Sequence, residues 1–228
     1  MNQLFYTPDI ANNLARLDAE ESRHLLNVLR RKVGDRLQLT DGKGFFYEAE
    51  IVETGKKQAL ARILKTIPGN APPARLHIAI APTKQIDRLE WFLEKTTEIG
   101  IHTITPLLCQ RSERKAVRHD RLEKILVSAM KQSLQCRLPE LHPLTPFPEL
   151  VRNTQEPQRF IAWCPEAELP QLGKRLQAGI DTLILIGPEG DFSPEEAALA
   201  RENSFVEIGL GPTRLRTETA GLVAVMSF

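Results

Sequence analysis

Two kinds of domain follow one another in this 228-residue sequence: a small β-rich one, then an α/β one built on a mostly parallel sheet. Three observations predict this. Residues 67–73, Ile-Pro-Gly-Asn-Ala-Pro-Pro, read as a stiff, exposed linker that continues neither strand nor helix. Before them, short alternating segments dominate. After them, apolar strands alternate with helical patterns, which calls for a parallel sheet covered on both faces. The expected domains are residues 1–70 and 74–228.

In the first domain, Leu25, Leu26, Val28 and Leu29 form an apolar stripe behind the acidic turn 18–21, which predicts a helix. Residues 36–40 alternate, Asp41-Gly42-Lys43-Gly44 marks a turn, and strands are expected at 45–52 and 59–64. In the second domain, 76–81 reads as a strand. A helix at 86–99 puts Ile86, Leu89, Phe92, Leu93, Thr96 and Ile99 on one face, with Gly100 as its stop. Trp91, beside Phe92, reads as core. A strand at 103–109 leads to a helix at 121–134 with Leu122, Ile125, Leu126, Ala129 and Met130 inward. A strand at 160–164, a helix near 169–178 and the very apolar strand 181–186 follow. Ser193-Pro194-Glu195-Glu196 is a helix start: Ser at the cap, Pro first, Glu completing a capping box. A strand at 206–210 and an apolar helix at 217–227 end the pattern.

Composition narrows the function classes. Hydrophobic residues make up 42% and charged residues 26%, an ordinary globular balance that argues against disorder. No apolar run approaches the roughly 18 residues of a membrane span, and the first residues lack a signal-peptide pattern. Cys109, Cys136 and Cys164 are odd in number and widely spaced, which argues against a disulfide framework or a zinc site and suits a cytoplasmic protein. His24, His77, His102, His119 and His142 show no metal-ligand spacing, so no metal is expected. The loop 82–85 lacks the glycines of a dinucleotide site, and neither a Walker A sequence nor a nucleophile elbow occurs.

Net charge is +1, yet residues 51–150 carry 16 basic and 10 acidic side chains while residues 151–228 carry 7 and 11. Stretch 110–137 has eight basic against three acidic residues, and stretch 23–43 has six against two. Two such patches on a near-neutral chain suit a polyanion such as nucleic acid. On charge alone, solvated helix faces account for them equally well. Phe45, Phe46 and Tyr47 offer rings for base stacking, although alternation sends one or two of them to the core.

Ligands of open α/β sheets bind at the carboxyl ends of the strands, and two strand-to-helix loops stand out there. Residues 186–193, Ile-Gly-Pro-Glu-Gly-Asp-Phe-Ser, have glycines at 187 and 190 that permit positive φ or close backbone approach. A plain structural turn would look the same. Residues 210–220, Leu-Gly-Pro-Thr-Arg-Leu-Arg-Thr-Glu-Thr-Ala, place Arg216 and Glu218 at the head of a helix too apolar to be exposed. An ion pair plus a threonine cap is the competing explanation.

These two loops, with Leu93-Glu94-Lys95-Thr96-Thr97-Glu98-Ile99-Gly100 and His24-Leu25-Leu26-Asn27-Val28-Leu29-Arg30, resemble the ribosomal RNA small-subunit methyltransferase E family over the whole chain. That family belongs to the SPOUT class. The resemblance implies a SPOUT-type α/β fold with a deep trefoil knot, in which the chain around 211–217 tucks through an earlier loop. In front of it stands a PUA-like β-barrel that binds RNA. It also implies a homodimer, S-adenosylmethionine as cofactor, and N3 of a specific uridine in 16S rRNA of the small ribosomal subunit as methyl acceptor. Three positions depart from the family pattern: Asp191 stands for a second glycine, Thr213-Arg214 for an Arg-Ile pair, and Lys131 for Glu.

Carried over residue by residue, the resemblance lines the cofactor pocket with Ile186, Gly187, Gly190, Leu210, Gly211, Leu215 and Thr217. Arg216 would stabilise charge on the deprotonated uracil, and Glu218 would serve as base or orient Arg216. Arg23, Arg30, Arg31, Lys32, Arg111, Arg114 and Lys115 would hold rRNA phosphates. The competing readings are methylation at another RNA position, such as a ribose 2′-hydroxyl, and a non-catalytic RNA-binding or ribosome-assembly protein.

Overall fold

The computed structural model describes residues 3–55, 58–164 and 168–228. The chain divides into two compact units, Met1–Ala71 with Val127–Leu138, and Pro72–Leu126 with Pro139–Phe228.

The first unit is built on β1 (Leu4–Tyr6), β2 (Ile10–Ala11), β3 (Leu14–Leu17), β4 (Arg36–Thr40), β5 (Phe45–Thr54) and β6 (Ala59–Pro68), in the order β1-β4-β5-β6-β3-β2. Only β1 and β4 pair in parallel. Alternation sends Leu37, Leu39, Ala49, Ile51, Ala59 and Ala61 into one core with Phe5, Ala15, Leu17 and Leu25. The strands β1 to β3, two to four residues long, are too short for a period to register in sequence. Strand β6 overruns its expected end. Ile67 pairs with Phe46 and Pro68 with Phe45 at the last rung, where a missing N–H is tolerated.

The expected helix behind residues 18–21 starts as α1 (Ala19–Arg23), where the Asp18 carboxylate accepts from the N–H groups of Glu20 and Glu21. It continues as a π-helical turn, His24–Val28. The wider turn breaks the 3.6-residue period, so Leu25 is buried while Val28 is 64% exposed. Residues 127–138 complete this unit. Lys131 pairs with the buried carboxylate of Glu21, and the Cys136 carbonyl accepts from the Gly44 N–H and the Thr40 hydroxyl.

The second unit holds β7 (Leu76–Ile80), β8 (Thr103–Leu108), β9 (Glu140–Leu141), β10 (Thr145–Pro146), β11 (Gln158–Ala162), β12 (Thr182–Ile186) and β13 (Val206–Ile208). The order is β10-β8-β7-β12-β11-β13 with β9 beside β8, and every pairing is parallel. The helices are α2 (Ile86–Ile99), α4 (Phe147–Asn153), α5 (Pro194–Glu202) and α6 (Thr217–Ser227), together with the first part of α3 (His119–Gln132), whose residues from Val127 on belong to the first unit. Both faces of the sheet are covered, which is why β7 and β12 are buried along their whole length and apolar apart from His77 and Thr182. Ala79, Ala81, Leu183 and Leu185 pack on one side with Phe147 and Val151 of α4 and Ala200 of α5. On the other side α6 lies so close that a Cβ at Gly221 would come within 2.6 Å of the Phe92 ring and 3.0 Å of Ile80. Glycine is what lets this helix seat against α2 and the sheet.

Helix α2 stops at Gly100, whose φ is 106°, and the capping box of Ser193 and Glu196 is formed at the head of α5. The helix expected near 169–178 is instead one 3-10 turn, Leu172–Lys174. Pro170, Gly173 and Gly179 disfavour helix, and the Leu172 N–H is bonded to the Gly209 carbonyl. Two residues assigned to the core, Trp91 and Ile99, are 41% and 45% exposed. The apolar stripe of α2 is narrower than the sequence implied, and these two lie at its margins.

Candidate active site

Because the second unit's strands all run in parallel, their carboxyl ends share one edge of its sheet, and the loops after β7, β8, β12 and β13 leave from there. Arginines and backbone carbonyls brace these loops against one another. Arg111 Nη1 donates to the carbonyls of Gly190 (2.9 Å) and Phe192 (3.2 Å). Arg114 donates from Nε to Thr83 O (3.0 Å) and from Nη2 to Lys84 O (2.7 Å). The Lys84 N–H donates to Glu189 Oε1 at 3.0 Å, and Lys84 Nζ pairs with Glu113 at 2.9 Å. Glu196 accepts from the N–H groups of both Gln110 (2.8 Å) and Ser193 (2.9 Å). The guanidinium groups of Arg111 and Arg114 thus hold the site's loops together, while Lys115 beside them is exposed.

At the end of β12, where the next loop leaves, Ile186 is buried to 2% exposure. Gly187 is needed for close approach: a Cβ there would meet the Phe192 ring at 3.1 Å. Neither Gly187 nor Gly190 adopts the positive φ that the sequence suggested. That conformation falls to Asp191, at φ 63°. Its short carboxylate makes the left-handed turn tolerable by accepting from the N–H of Phe192 (2.8 Å) and of Cys164 (3.0 Å). The departure from glycine at 191 therefore preserves the loop's turn.

The loop after β13 carries Leu210 and Leu215, both half-buried, and exposed Gly211 at φ 134°. It is tied to the previous loop where the Thr217 hydroxyl donates to the Gly187 carbonyl at 3.1 Å. Arg216 occupies the N-cap position of α6 with its side chain exposed. Glu218, one residue into the helix, is buried. Its Oε1 lies 3.8 Å from Arg88 Nε, and its Oε2 is buried with no hydrogen-bond partner. Such an oxygen is costly to leave unsatisfied unless a ligand completes it. Arg88 was not singled out in the sequence; it meets Glu218 only because α6 packs on α2, a long-range contact that no local pattern encodes.

The remaining expected RNA contacts lie in the first unit. Arg23 ends α1, and Arg30, Arg31 and Lys32 follow the π-helical turn; all four are exposed, and Arg30 takes φ 54°. Among the described residues no three His, Cys, Asp or Glu side chains are grouped as metal ligands, and no helix is long and apolar enough to cross a membrane.

Comparison with known proteins places this geometry. Residues 70–228 match the RNA methyltransferase domain, and residues 17–64 match the RNA methyltransferase PUA domain. The chain is 29% identical to the ribosomal RNA small subunit methyltransferase E of Bacillus subtilis, over 92% of this chain and 87% of that one. A probable rRNA-methyltransferase from Porphyromonas gingivalis superposes with a TM-score of 0.92 at 42% identity, covering 98% of this chain and 95% of that one. A ribosomal RNA small subunit methyltransferase E from Neisseria gonorrhoeae, solved bound to S-adenosyl methionine, gives 0.87 at 28% identity, over 100% and 96%. The fold is thus the SPOUT-type α/β arrangement behind a PUA domain, and the chain belongs to the RNA methyltransferase family that includes the ribosomal RNA small subunit methyltransferases E.

Proposed function

We propose that this protein methylates N3 of a specific uridine in 16S rRNA of the small ribosomal subunit, with S-adenosylmethionine as donor. The observation that carries the reading is the buried, unpartnered Oε2 of Glu218, two residues after Arg216 at the head of α6. The residues fit the donor. Leu210 and Leu215 supply apolar surface beside the buried strand end at Ile186; Gly190 and Gly211, both exposed, offer backbone groups that read an adenine edge; Thr217 pins the two loops together through the carbonyl of buried Gly187. When bound, S-adenosylmethionine supplies an electrophilic methyl group on a sulfonium.

Uracil N3 carries a proton and is a weak nucleophile until that proton leaves. Glu218 Oε2 is the free acceptor for it, and Arg88 holds the carboxylate in place from α2. Arg216, exposed at the head of α6, stabilises the negative charge that spreads onto the uracil carbonyl oxygens. Because N3 lies on the pairing edge, the target nucleotide enters unpaired. Arg23, Arg30, Arg31, Lys32 and Lys115 hold phosphates, with the charges of Arg111 and Arg114 at the rim of the loops they brace.

The protein acts as a homodimer. Helix α6 is apolar around its circumference, and beyond its contact with α2 it leaves Met226 67% and Phe228 43% exposed. Trp91 on α2 is exposed as well. Sedimentation or light scattering is expected to give twice the chain mass.

Transfer of labelled methyl to small ribosomal subunits lacking the modification, followed by nucleoside digestion, tests the function. Label in 3-methyluridine is the expected result. Label in a 2′-O-methyl nucleoside moves the acceptor atom, and no label together with no cofactor binding by calorimetry favours a non-catalytic RNA-binding protein.

A further inference from the structure

In the sheet of the second unit β11 lies between β12 and β13. The chain leaving β11 therefore emerges between the two loops assigned to the cofactor. Its ladder with β12 ends at Ala162 and Ile186. Two residues beyond that rung, the Cys164 N–H donates to Asp191 Oδ2 at 3.0 Å. Further along, the chain is fastened to the end of β13. The Gly209 N–H donates to the Pro170 carbonyl and the Leu172 N–H to the Gly209 carbonyl, both at 3.0 Å. The chain after β11 is thus bonded on one side to the loop of Gly187 and Asp191, and on the other to the strand that leads into the loop of Gly211 and Arg216.

The bonds around residue 191 direct its carboxylate at this donor. The Asp191 N–H donates to the Pro188 carbonyl at 2.9 Å, which closes the turn. Arg111 holds the carbonyls on either side of it, those of Gly190 and Phe192. Oδ1 accepts from the Phe192 N–H, and Oδ2 is left for Cys164. Glycine at 191 would keep the left-handed turn, because it takes positive φ freely, but it would bring no acceptor. The carboxylate adds what glycine lacks: a charge-assisted bond to the neighbouring segment. We propose that Asp191 is a positioning residue for S-adenosylmethionine, tying the chain after β11 to the loop of Gly187 so that the pocket is set before the cofactor arrives. A loop held in place beforehand loses less freedom on binding, so the tether acts on affinity and not on the rate of methyl transfer. This rests on the cofactor site proposed above and needs no contact between Asp191 and the cofactor.

The test is calorimetry of S-adenosylmethionine binding to the full-length protein, together with amide hydrogen exchange of Cys164 measured without the cofactor. Asp191→Gly keeps the turn and removes both acceptor oxygens. It is expected to raise Kd about tenfold and to leave kcat at saturating cofactor nearly unchanged. It is also expected to speed exchange of the Cys164 amide about tenfold, while the amides of β12 stay protected. Asp191→Asn suits the same backbone and keeps one side-chain oxygen, so it is expected to recover part of the affinity. Cofactor binding by Asp191→Gly as tight as that of the unaltered protein, or an unchanged Cys164 amide, overturns the inference and leaves residue 191 a backbone turn alone. A fall in kcat as large as the fall in affinity overturns it too, because that places Asp191 in the chemistry. Each of these results leaves the proposed function standing. Failure of the unaltered protein to bind S-adenosylmethionine overturns the proposed function and this inference with it.

Discussion

The sheet of the second unit has ionisable groups buried at both ends, and the two ends treat them differently. Near the amino ends of β7 and β8, His77 bonds Glu156 Oε1 (2.5 Å) and the Thr105 hydroxyl (2.7 Å), Thr105 bonds His142 (2.9 Å), and His142 reaches Glu140 (3.2 Å). No buried atom of that chain of groups lacks a partner. At the carboxyl end, Glu218 has one loose ion pair and one orphaned oxygen. A closed network holds the fold together; an open one keeps a bonding position free for something else. Burial alone does not separate the two, but hydrogen-bond accounting does.

Five experiments sharpen or break this contrast. The largest effect is expected at the open end. Arg216→Ala should lower kcat by roughly 100-fold or more, while the melting temperature holds because the side chain is exposed. A loss of stability matching the loss of rate would put Arg216 in the scaffold instead.

At the closed end, His77→Ala should cost about 2 kcal/mol of stability, because it strands a half-buried carboxylate, and leave kcat nearly unchanged. This end also has a pH signature. Burial works to raise the Glu156 carboxyl, but hydrogen bonds from His77 and Thr154 outweigh it and hold the group near a pKa of about 2, against an ordinary 4.5. A carboxyl depressed by folding contributes stability that is complete above about pH 4.5 and fades as pH falls toward 2. Urea unfolding should therefore show Glu156→Gln well below the unaltered protein at pH 7, with the gap narrowing at pH 3.

Arg88→Gln should lower kcat about tenfold with little change in cofactor affinity, and Arg88→Lys should restore part of it, since the pair needs the positive charge. Equal losses in both variants would reduce Arg88 to packing. The smallest effect is local. Ser193→Ala removes the cap of α5 and should cost about 1 kcal/mol, with a modest rise in KM through the loop it anchors.

How much of this was legible beforehand depends on the range of the interaction. Helices α2 and α6 carry their own signals, Gly100 as a stop and an unbroken apolar run, and their boundaries match the expectation. The capping box of α5 is encoded within four residues. The 172–174 turn departs from the expected helix because its apolar residues resemble a helix while its backbone bonds Gly209. The site divides in the same way. The loops of Gly187 and Arg216 announce themselves by glycine, proline and charge at strand ends. Arg88 does not, nor does the employment of Arg111 and Arg114 on loop carbonyls, for both depend on segments far apart in the chain.

The sequence by itself determined the parallel sheet, the strand-end loops and the place of Arg216 and Glu218 at the head of an apolar helix, because hydrophobic period, turn chemistry and caps are properties of neighbouring residues. Only the tertiary structure decided that Asp191 supplies the left-handed turn, that Trp91 faces outward and that Glu218 keeps a free oxygen. Each of these follows from which distant groups supply or withhold a hydrogen bond or a packing surface, and that is fixed only when the chain closes on itself.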